Sequence, residues 1–145
     1  MAGQEFSAAS SEHDCAMHNT AKDFTTFNYT ACDYLRIFSQ KYSMLTRGTR
    51  LVSGNDAKSV SPPPAFLTDV TDTGVLGEFL TTYVKTTVGH FKGKIYAWDV
   101  VDEAVVDVDS EPNKDGVRSE TVFGRVDDYI CKAFKAAAEA DPAAT

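Results

Sequence analysis

The sequence GHFKGKIYAWDVVDEA, residues 89–104, says more about the structure than any other part of the chain. Its two glycines predict a turn, and the apolar residues that follow predict a buried strand over residues 94–101. Two adjacent carboxylates, Asp102 and Glu103, follow the strand. Because side chains alternate along a strand, we expect Glu103 to share a face with Asp99. A carboxylate at the carboxyl end of a parallel strand is where (β/α) folds place their chemistry, so Glu103 is the first candidate catalytic residue.

Helical periodicity is clearest in the segment before this strand. Asp72 or Thr73 is predicted to cap a helix whose apolar residues recur every three or four positions. The residues expected to face the core are Leu76, Phe79, Leu80, Tyr83, Val84 and Val88.

Two further helices follow from the same pattern. One is predicted over residues 30–42, with Thr30 as its N-cap, and the other starts near Ser119 and stops at Asp141-Pro142. The first is expected to bury Ala31, Tyr34, Leu35 and Phe38, and the second Val122, Phe123, Val126, Tyr129, Ile130, Ala133, Phe134 and Ala137.

A short strand broken by Gly48 is predicted over residues 44–52, and an irregular connection with three consecutive prolines over 53–72. Strands and helices therefore alternate, which indicates an α/β fold with parallel strands and crossover helices. No internal repeat or linker divides the chain, so we predict one domain over residues 1–145.

The composition excludes several classes of function. A formal net charge of −7 argues against nucleic acid or an anionic membrane as a partner, since both require basic surface. No apolar stretch approaches the length of a membrane span, and the first residues do not resemble a signal peptide. Location therefore stays open between an internal protein and one whose export signal lies outside this sequence.

The three cysteines, Cys15, Cys32 and Cys131, lack the spacing of a zinc site. Three buried thiols are the expected state, and a single disulfide is the alternative. Asn28-Tyr29-Thr30 is a sequon for N-glycosylation, which has meaning only in a secreted protein. Residues 107–116 are acidic, but neither possible register matches a calcium-binding hand, so a solvated loop is expected and weak cation binding is the alternative. No metal site and no cofactor is predicted.

Residues 89–104 resemble the fourth strand of family 10 glycoside hydrolases, the retaining endo-1,4-β-xylanases, whose pattern is G-x-x-K-G-K-x-Y-A-W-D-V-V-N-E-A. The resemblance extends along the chain. Residues 27–35 are similar to the second helix of the family, and Arg47-Gly48 with Leu51-Val52 match its third strand. The last predicted helix is similar to the one after strand four.

This resemblance implies a partial (β/α) barrel with about three parallel strands, units two to four of the family's eight. It implies that Glu103 is the general acid/base and that Glu12 and Asp102 lie at substrate-binding positions. Xylan or a xylo-oligosaccharide would be the substrate, and the location would be extracellular. Exposed edges of such a partial sheet would favour self-association.

The chain departs from the family pattern at positions that contact sugar. The family's E-N-x-M-K-W has become EHDCAM at residues 12–17, and the Asn before the acid/base has become Asp102. No residue matches the family's nucleophilic Glu, and retaining hydrolysis requires two carboxyl groups about 5–5.5 Å apart. The expected function is therefore a xylanase fragment with impaired hydrolysis. The alternative is a non-catalytic remnant that binds polysaccharide or protein, and a new small-molecule activity is less favoured.

Trp98 and the three histidines are expected to have structural roles. Trp98 has the opposite strand parity from Glu103, which favours packing against a helix over stacking on a sugar. His90 ends a helix, where a positive charge complements the helix dipole.

Overall fold

A computed structural model describes residues 5–56, 59, 61–106 and 116–145. The elements in chain order are β1 (Ala8–Ser10), α1 (Met17–Thr20), α2 (Thr30–Lys41), β2 (Leu45–Gly48), β3 (Val52–Ser53), a 3₁₀ turn (Ala65–Leu67), α3 (Thr73–His90), β4 (Ala97–Trp98), β5 (Val101–Asp102) and α4 (Tyr129–Ala140).

The strands run parallel. The order in one sheet is β1-β2-β4, and β3 pairs with β5 beyond it. Along the chain, β3 follows β2 and β5 follows β4, so the β3–β5 pair extends the β2–β4 pair. We call β2 with β3 one strand path, and β4 with β5 the neighbouring strand path. The predicted α/β fold with about three parallel strands is confirmed, although the strands predicted over residues 44–52 and 94–101 are each divided in two. The described strands do not close into a barrel.

A one-residue bulge separates the two sets of paired strands. Gly48 pairs with Trp98, and Val52 pairs with Val101. Three residues, 49–51, therefore lie opposite two residues, 99 and 100. Arg50 lies in the bulge with φ 49°, in the left-handed region. Bulges of this kind change the direction in which a side chain points.

One face of the sheet is covered and the other is not. Thr46 and Gly48 are buried in β2, whereas Leu45 and Arg47 are exposed. Trp98 lies on the covered side, with its ring centroid 5.8 Å from that of Phe91, and is 8% exposed. The predicted packing role of Trp98 is confirmed.

Helix α3 has the predicted cap and the predicted buried face. The Asp72 carboxylate accepts hydrogen bonds from the backbone N–H groups of Gly74 at 2.8 Å and Val75 at 3.2 Å. All six residues predicted to face the core are buried. The Tyr83 hydroxyl, fully buried, lies 2.7 Å from Thr20 Oγ1 and joins α3 to α1.

Helix α2 buries only a small part of the predicted face, since Leu35 packs partly buried against the core but the other predicted residues do not. Its N-cap is Tyr29 rather than Thr30, Tyr34 is 70% exposed and Phe38 is exposed as well. Cys32 and Ser39 are the buried residues. These two positions are seven residues apart and so share one side of a helix. A disulfide at Cys32 holds this side inward, and the apolar residues Tyr34 and Phe38 are left facing outward.

Helix α4 begins ten residues later than predicted, at Tyr129 instead of Ser119. Asp128 has φ 56°, a conformation that an α-helix does not contain, and a turn is closed by the Val126 N–H to the Phe123 carbonyl at 2.9 Å. Val122, Phe123 and Val126 are nevertheless buried, but Phe134 is 52% exposed, so that part of the predicted buried face is wrong. The predicted stop is confirmed, since α4 ends at Ala140.

The prediction of three buried thiols is wrong. Cys15 and Cys32 form a disulfide, with Cα atoms 4.8 Å apart and a sequence separation of 17. Cys131 is a free and exposed thiol. The odd number and irregular spacing of the cysteines do not predict this disulfide. Its two cysteines come together only when α2 packs beside the loop that follows β1.

The outer edge of β4 is partly occupied. The Trp98 N–H donates to the Thr145 carbonyl at 3.0 Å, and the Thr145 N–H donates to the Tyr96 carbonyl at 2.9 Å. Self-association through sheet edges stays a prediction.

Among the described helices, none is both long and apolar enough to cross a membrane.

Removing the disulfide with the Cys15→Ser, Cys32→Ser double variant should lower the free energy of unfolding by about 3 kcal/mol, because the loop it closes gains freedom in the unfolded chain. Urea denaturation measures the loss. The control Cys131→Ser, at an exposed thiol, should stay within about 0.5 kcal/mol of the parent. Equal stability of the double variant and the parent would contradict the assigned disulfide.

Gly48→Ala should destabilise the fold by about 1–3 kcal/mol, because the added Cβ would overlap carbons of the Trp98 ring. Gly89→Ala is the matched control, since nothing lies within 4 Å of a Cβ there and alanine is the better helix former. Thermal unfolding compares the two, and a neutral Gly48→Ala would show that the ring is not held against β2.

Candidate functional site

Glu103 follows β5 directly and is exposed, at the carboxyl end of its strand path. Its φ is 50°, in the left-handed region, which costs a non-glycine residue about 1–3 kcal/mol and is often found at functional sites. The regular alternation of side chains between the two faces of the strand therefore ends at Asp102. The expectation that Glu103 shares a strand face with Asp99 does not hold, because the backbone turns at Glu103 itself.

Asp102 is held by the arginine from the bulge. Its Oδ2 lies 3.0 Å from Arg50 Nε, and Arg50 Nη1 also donates to Ser61 Oγ at 3.2 Å. Burial raises the pKa of the Asp102 carboxyl; the charge of Arg50 opposes this rise, and Glu103 and Asp99 add to it. The carboxylate is thus fixed in position and disfavoured as an anion at the same time.

A second ion pair lies nearer the amino ends of the same two strand paths. Arg47, on β2, contacts Asp99 Oδ1 through both Nε and Nη2. This contact raises the pKa of the Arg47 guanidinium. Each of the two aspartates that precede Glu103 in this segment is therefore paired with an arginine from the neighbouring strand path.

Asp56 and Tyr129 add further polar atoms at the same end of the strands. Asp56 follows β3, accepts from the Val122 N–H at 2.7 Å and has its pKa raised by burial. Burial and the nearby charge of Asp56 raise the pKa of Tyr129 to about 12; Arg118 opposes the shift, and Asp102 contributes to it. The Tyr129 hydroxyl would lie 2.9 Å from a Cβ on Gly54.

Three buried oxygens of this region have no hydrogen-bond partner within the part of the chain that the structure describes: Asp56 Oδ1, Asp102 Oδ1 and Tyr129 Oη. Carboxylate oxygens accept hydrogen bonds, and a phenol hydroxyl both donates and accepts. The three atoms are hydrogen-bonding groups that no described residue satisfies. Within the described ranges, no group of three His, Cys, Asp or Glu residues has the geometry to hold a metal ion.

Glu12 lies after β1 and is exposed, with its Oε2 4.0 Å from His13 Nε2. The His13 ring is 5.9 Å from the His18 ring. Burial lowers the pKa of His18, and the charges of His13, Arg50 and Lys22 lower it further. In the described part of the chain, no salt bridge or hydrogen bond joins Glu12 to Asp102 or Glu103.

The structure brings Asp102 and Glu103 next to each other at the strand ends and leaves Glu12 on the loop after β1. Sequence reasoning missed Arg50, Asp56 and Tyr129. No short-range motif marks Arg50 or Asp56, and Tyr129 was assigned to the core by its helical spacing. Residues 107–115 lie outside the described part, so the solvated acidic loop stays a prediction.

A family model for glycosyl hydrolase family 10 matches residues 1–145. The chain belongs to this family. It is 32% identical to endo-1,4-beta-xylanase 2 of Claviceps purpurea over 143 residues, which are 97% of this chain and 40% of that protein. It is 41% identical to endo-1,4-beta-xylanase A of Thermotoga neapolitana over 122 residues, 80% of this chain and 11% of that protein.

Solved structures agree with these sequence matches. Xylanase 10B of Thermotoga petrophila, solved in complex with xylobiose, superposes with a TM-score of 0.80 at 27% identity, covering 99% of this chain and 41% of that one. The predicted family and the predicted partial (β/α) fold are confirmed. The family 10 chain described here thus spans well under half the length of these relatives.

The pH dependence of stability tests the environment of Asp102. Its pKa is raised in the folded state, so its contribution to stability is full below the unfolded pKa near 3.8 and is lost as pH rises through the folded pKa. The difference in unfolding free energy between the parent and Asp102→Asn should therefore be most favourable to the parent in acid and should decline as pH rises.

Urea denaturation at a series of pH values measures this difference. Arg50→Met removes the charge that opposes the rise, so the decline in that background should extend to higher pH. A difference that does not vary with pH would show that Asp102 is solvated as in the unfolded chain.

Proposed function

We propose that residues 1–145 supply the proton donor of an endo-1,4-β-xylanase, with Glu103 as the general acid/base, and do not supply the attacking carboxylate. The observation that carries the proposal is the position of Glu103. It is exposed at the carboxyl end of a parallel strand, in a left-handed backbone conformation, and it forms no salt bridge with any described residue.

The neighbouring carboxylates support the second half of the proposal. A retaining glycosidase needs an ionised carboxylate on the far side of the sugar from its acid. Asp99 and Asp102 are engaged by Arg47 and Arg50, which hold them against the neighbouring strand path. Neither is then available to form a bond to carbon. Together with the lack of any residue that matches the family's nucleophilic Glu, this leads us to place the attacking group outside residues 1–145.

In this mechanism Glu103 donates its proton to the glycosidic oxygen as the bond to the sugar breaks. The attacking carboxylate forms a glycosyl–enzyme ester, and Glu103, now ionised, takes a proton from the water that hydrolyses the ester. Proton transfer of this kind contributes roughly 10²–10⁴-fold to the rate.

Asp102 and Glu12 are proposed as substrate-binding residues in a restricted sense. Asp102 Oδ2 is engaged by Arg50, but Oδ1 is buried without a partner in the described structure and can accept from a sugar hydroxyl. Glu12 is exposed and can accept in the same way. Xylan or a xylo-oligosaccharide, whose hydroxyl groups donate such bonds, is the proposed ligand.

A non-catalytic binding role is the second candidate, favoured by one observation. The residue before Glu103 is a carboxylate paired with arginine, in place of the family's amide. An ionised carboxylate cannot donate a hydrogen bond to the sugar. Binding without turnover would then remain, and isothermal titration with xylo-oligosaccharides would detect it.

The proposal is tested first with the chain itself. Purified residues 1–145 should release no reducing sugar from xylan, because one carboxyl group cannot carry out the two-step displacement. Hydrolysis by this chain that disappears in Glu103→Gln would contradict the view that the attacking carboxylate lies elsewhere.

The role of Glu103 is tested in a graft that replaces the matched segment of the Claviceps purpurea xylanase with this chain. Glu103→Gln should reduce turnover of xylan by about 10²–10⁴-fold. It should reduce the first step with a dinitrophenyl xylobioside far less, because that leaving group needs no proton. Glu78→Gln, at an exposed position of α3, is the matched control and should change neither rate. Equal losses on both substrates would indicate a binding or structural role, and no loss on either would reject the assignment.

A further inference from the structure

We propose that Asn28 is an acceptor site for an N-linked glycan, in the loop that the Cys15–Cys32 disulfide closes. The proposal is independent of hydrolysis and of the role of Glu103. It rests on three features of the structure: the sequon and its exposure, the direction in which its neighbours pack, and the disulfide around it.

The sequon is both exposed and suitably arranged. Asn28 is followed by Tyr29 and Thr30, so the position after the asparagine is not proline. The Asn28 side chain is exposed, and its Oδ1 accepts from the Thr30 N–H at 3.0 Å. This hydrogen bond uses the oxygen of the amide. The nitrogen, which would carry the sugar, donates to no other group in the described part of the chain.

The neighbouring residues leave room for a glycan. Residues 22–26 are exposed, and the loop is closed by the Lys22 N–H to the Thr26 carbonyl at 2.9 Å. Tyr29 packs the other way, with its ring stacked 4.5 Å from that of His90 and its hydroxyl 3.1 Å from Thr87 Oγ1. The packing contacts of this segment come from Tyr29 and from Phe24 and Phe27 before it, and none comes from the exposed Asn28. A bulky group on Asn28 would therefore extend into solvent without displacing them.

The disulfide supports passage through the compartment where such glycans are attached. Both cysteines are 0% exposed, so the bond is part of the packed structure. Disulfides of this structural kind form and persist in oxidising compartments, including the lumen of the endoplasmic reticulum. The 17-position separation of the cysteines encloses the sequon, so the same segment carries both features.

The chain supplies its own control. Of its four asparagines, Asn19, Asn28, Asn55 and Asn113, only Asn28 has Ser or Thr two positions later. Asn19 lies in the same disulfide-closed loop and is followed by Thr20 and Ala21, so it lacks the Ser or Thr that a sequon requires two positions after the asparagine.

The experiment expresses residues 1–145 behind a secretion leader in a eukaryotic host, with an established sequon in a C-terminal tag as an internal reporter. Endoglycosidase digestion and peptide mass spectrometry read occupancy at each asparagine, in secreted and in retained protein. Asn28 should be glycosylated in the parent, in Thr30→Ser and in Asn19→Gln. Occupancy at this site should be lost in Asn28→Gln and in Thr30→Ala.

The internal reporter makes the result decisive. Molecules that carry a glycan on the tag and none on Asn28 would overturn the proposal, because the same chains have passed the same enzyme. Glycosylation of the segment that survives Thr30→Ala would also overturn it, since the hydroxyl at that position would then not be part of the site.

Discussion

The contact between Gly48 and the Trp98 ring is the constraint on which the arrangement of the site depends. A side chain of any size at residue 48 would occupy the space of the ring, so the pairing of residue 48 with Trp98 requires glycine. Once Gly48 is paired with Trp98, the pairing of Val52 with Val101 requires one extra residue on the first strand path. The bulge and the unusual backbone of Arg50 follow, and Arg50 then reaches Asp102.

The Arg50–Asp102 pair is better understood as a means of orientation than as a source of stability. Removing two charges from water offsets much of their attraction, and half-buried pairs of this kind often contribute little net free energy. What the pair does is hold the carboxylate beside Glu103 in one position. The carboxylate next to the candidate proton donor is therefore held by an ion pair, while Glu103 itself is exposed.

Sequence was most informative where local and tertiary preferences agree. The cap at Asp72, the buried face of α3, the stop after Ala140 and the packing of Trp98 follow from periodicity and end signals, and the structure has them all. The buried face of α2 was wrong because the disulfide at Cys32, a long-range bond, decides which side of that helix points inward. The start of α4 was wrong because apolar spacing alone does not reveal the left-handed Asp128 that delays the helix.

The candidate site was predictable in the same uneven way. Glu103 and Asp102 follow a strand signal and a family pattern, so their place at the strand ends could be anticipated. The partners that determine how Asp102 behaves could not. Arg50 depends on a bulge that exists only when two strands pair, and Asp56 and Tyr129 meet through residues far apart in sequence.

The uncovered face of the sheet is where the Arg47–Asp99 contact has its wider consequence. Exposed Leu45 would by itself make that face adhesive, but charged groups that cross from one strand path to the next lie beside it. Two copies of the chain could stack these faces only by dehydrating the Arg47–Asp99 pair of each copy, which is unfavourable. The charged groups therefore keep this face hydrated and oppose the face-to-face association of two such sheets.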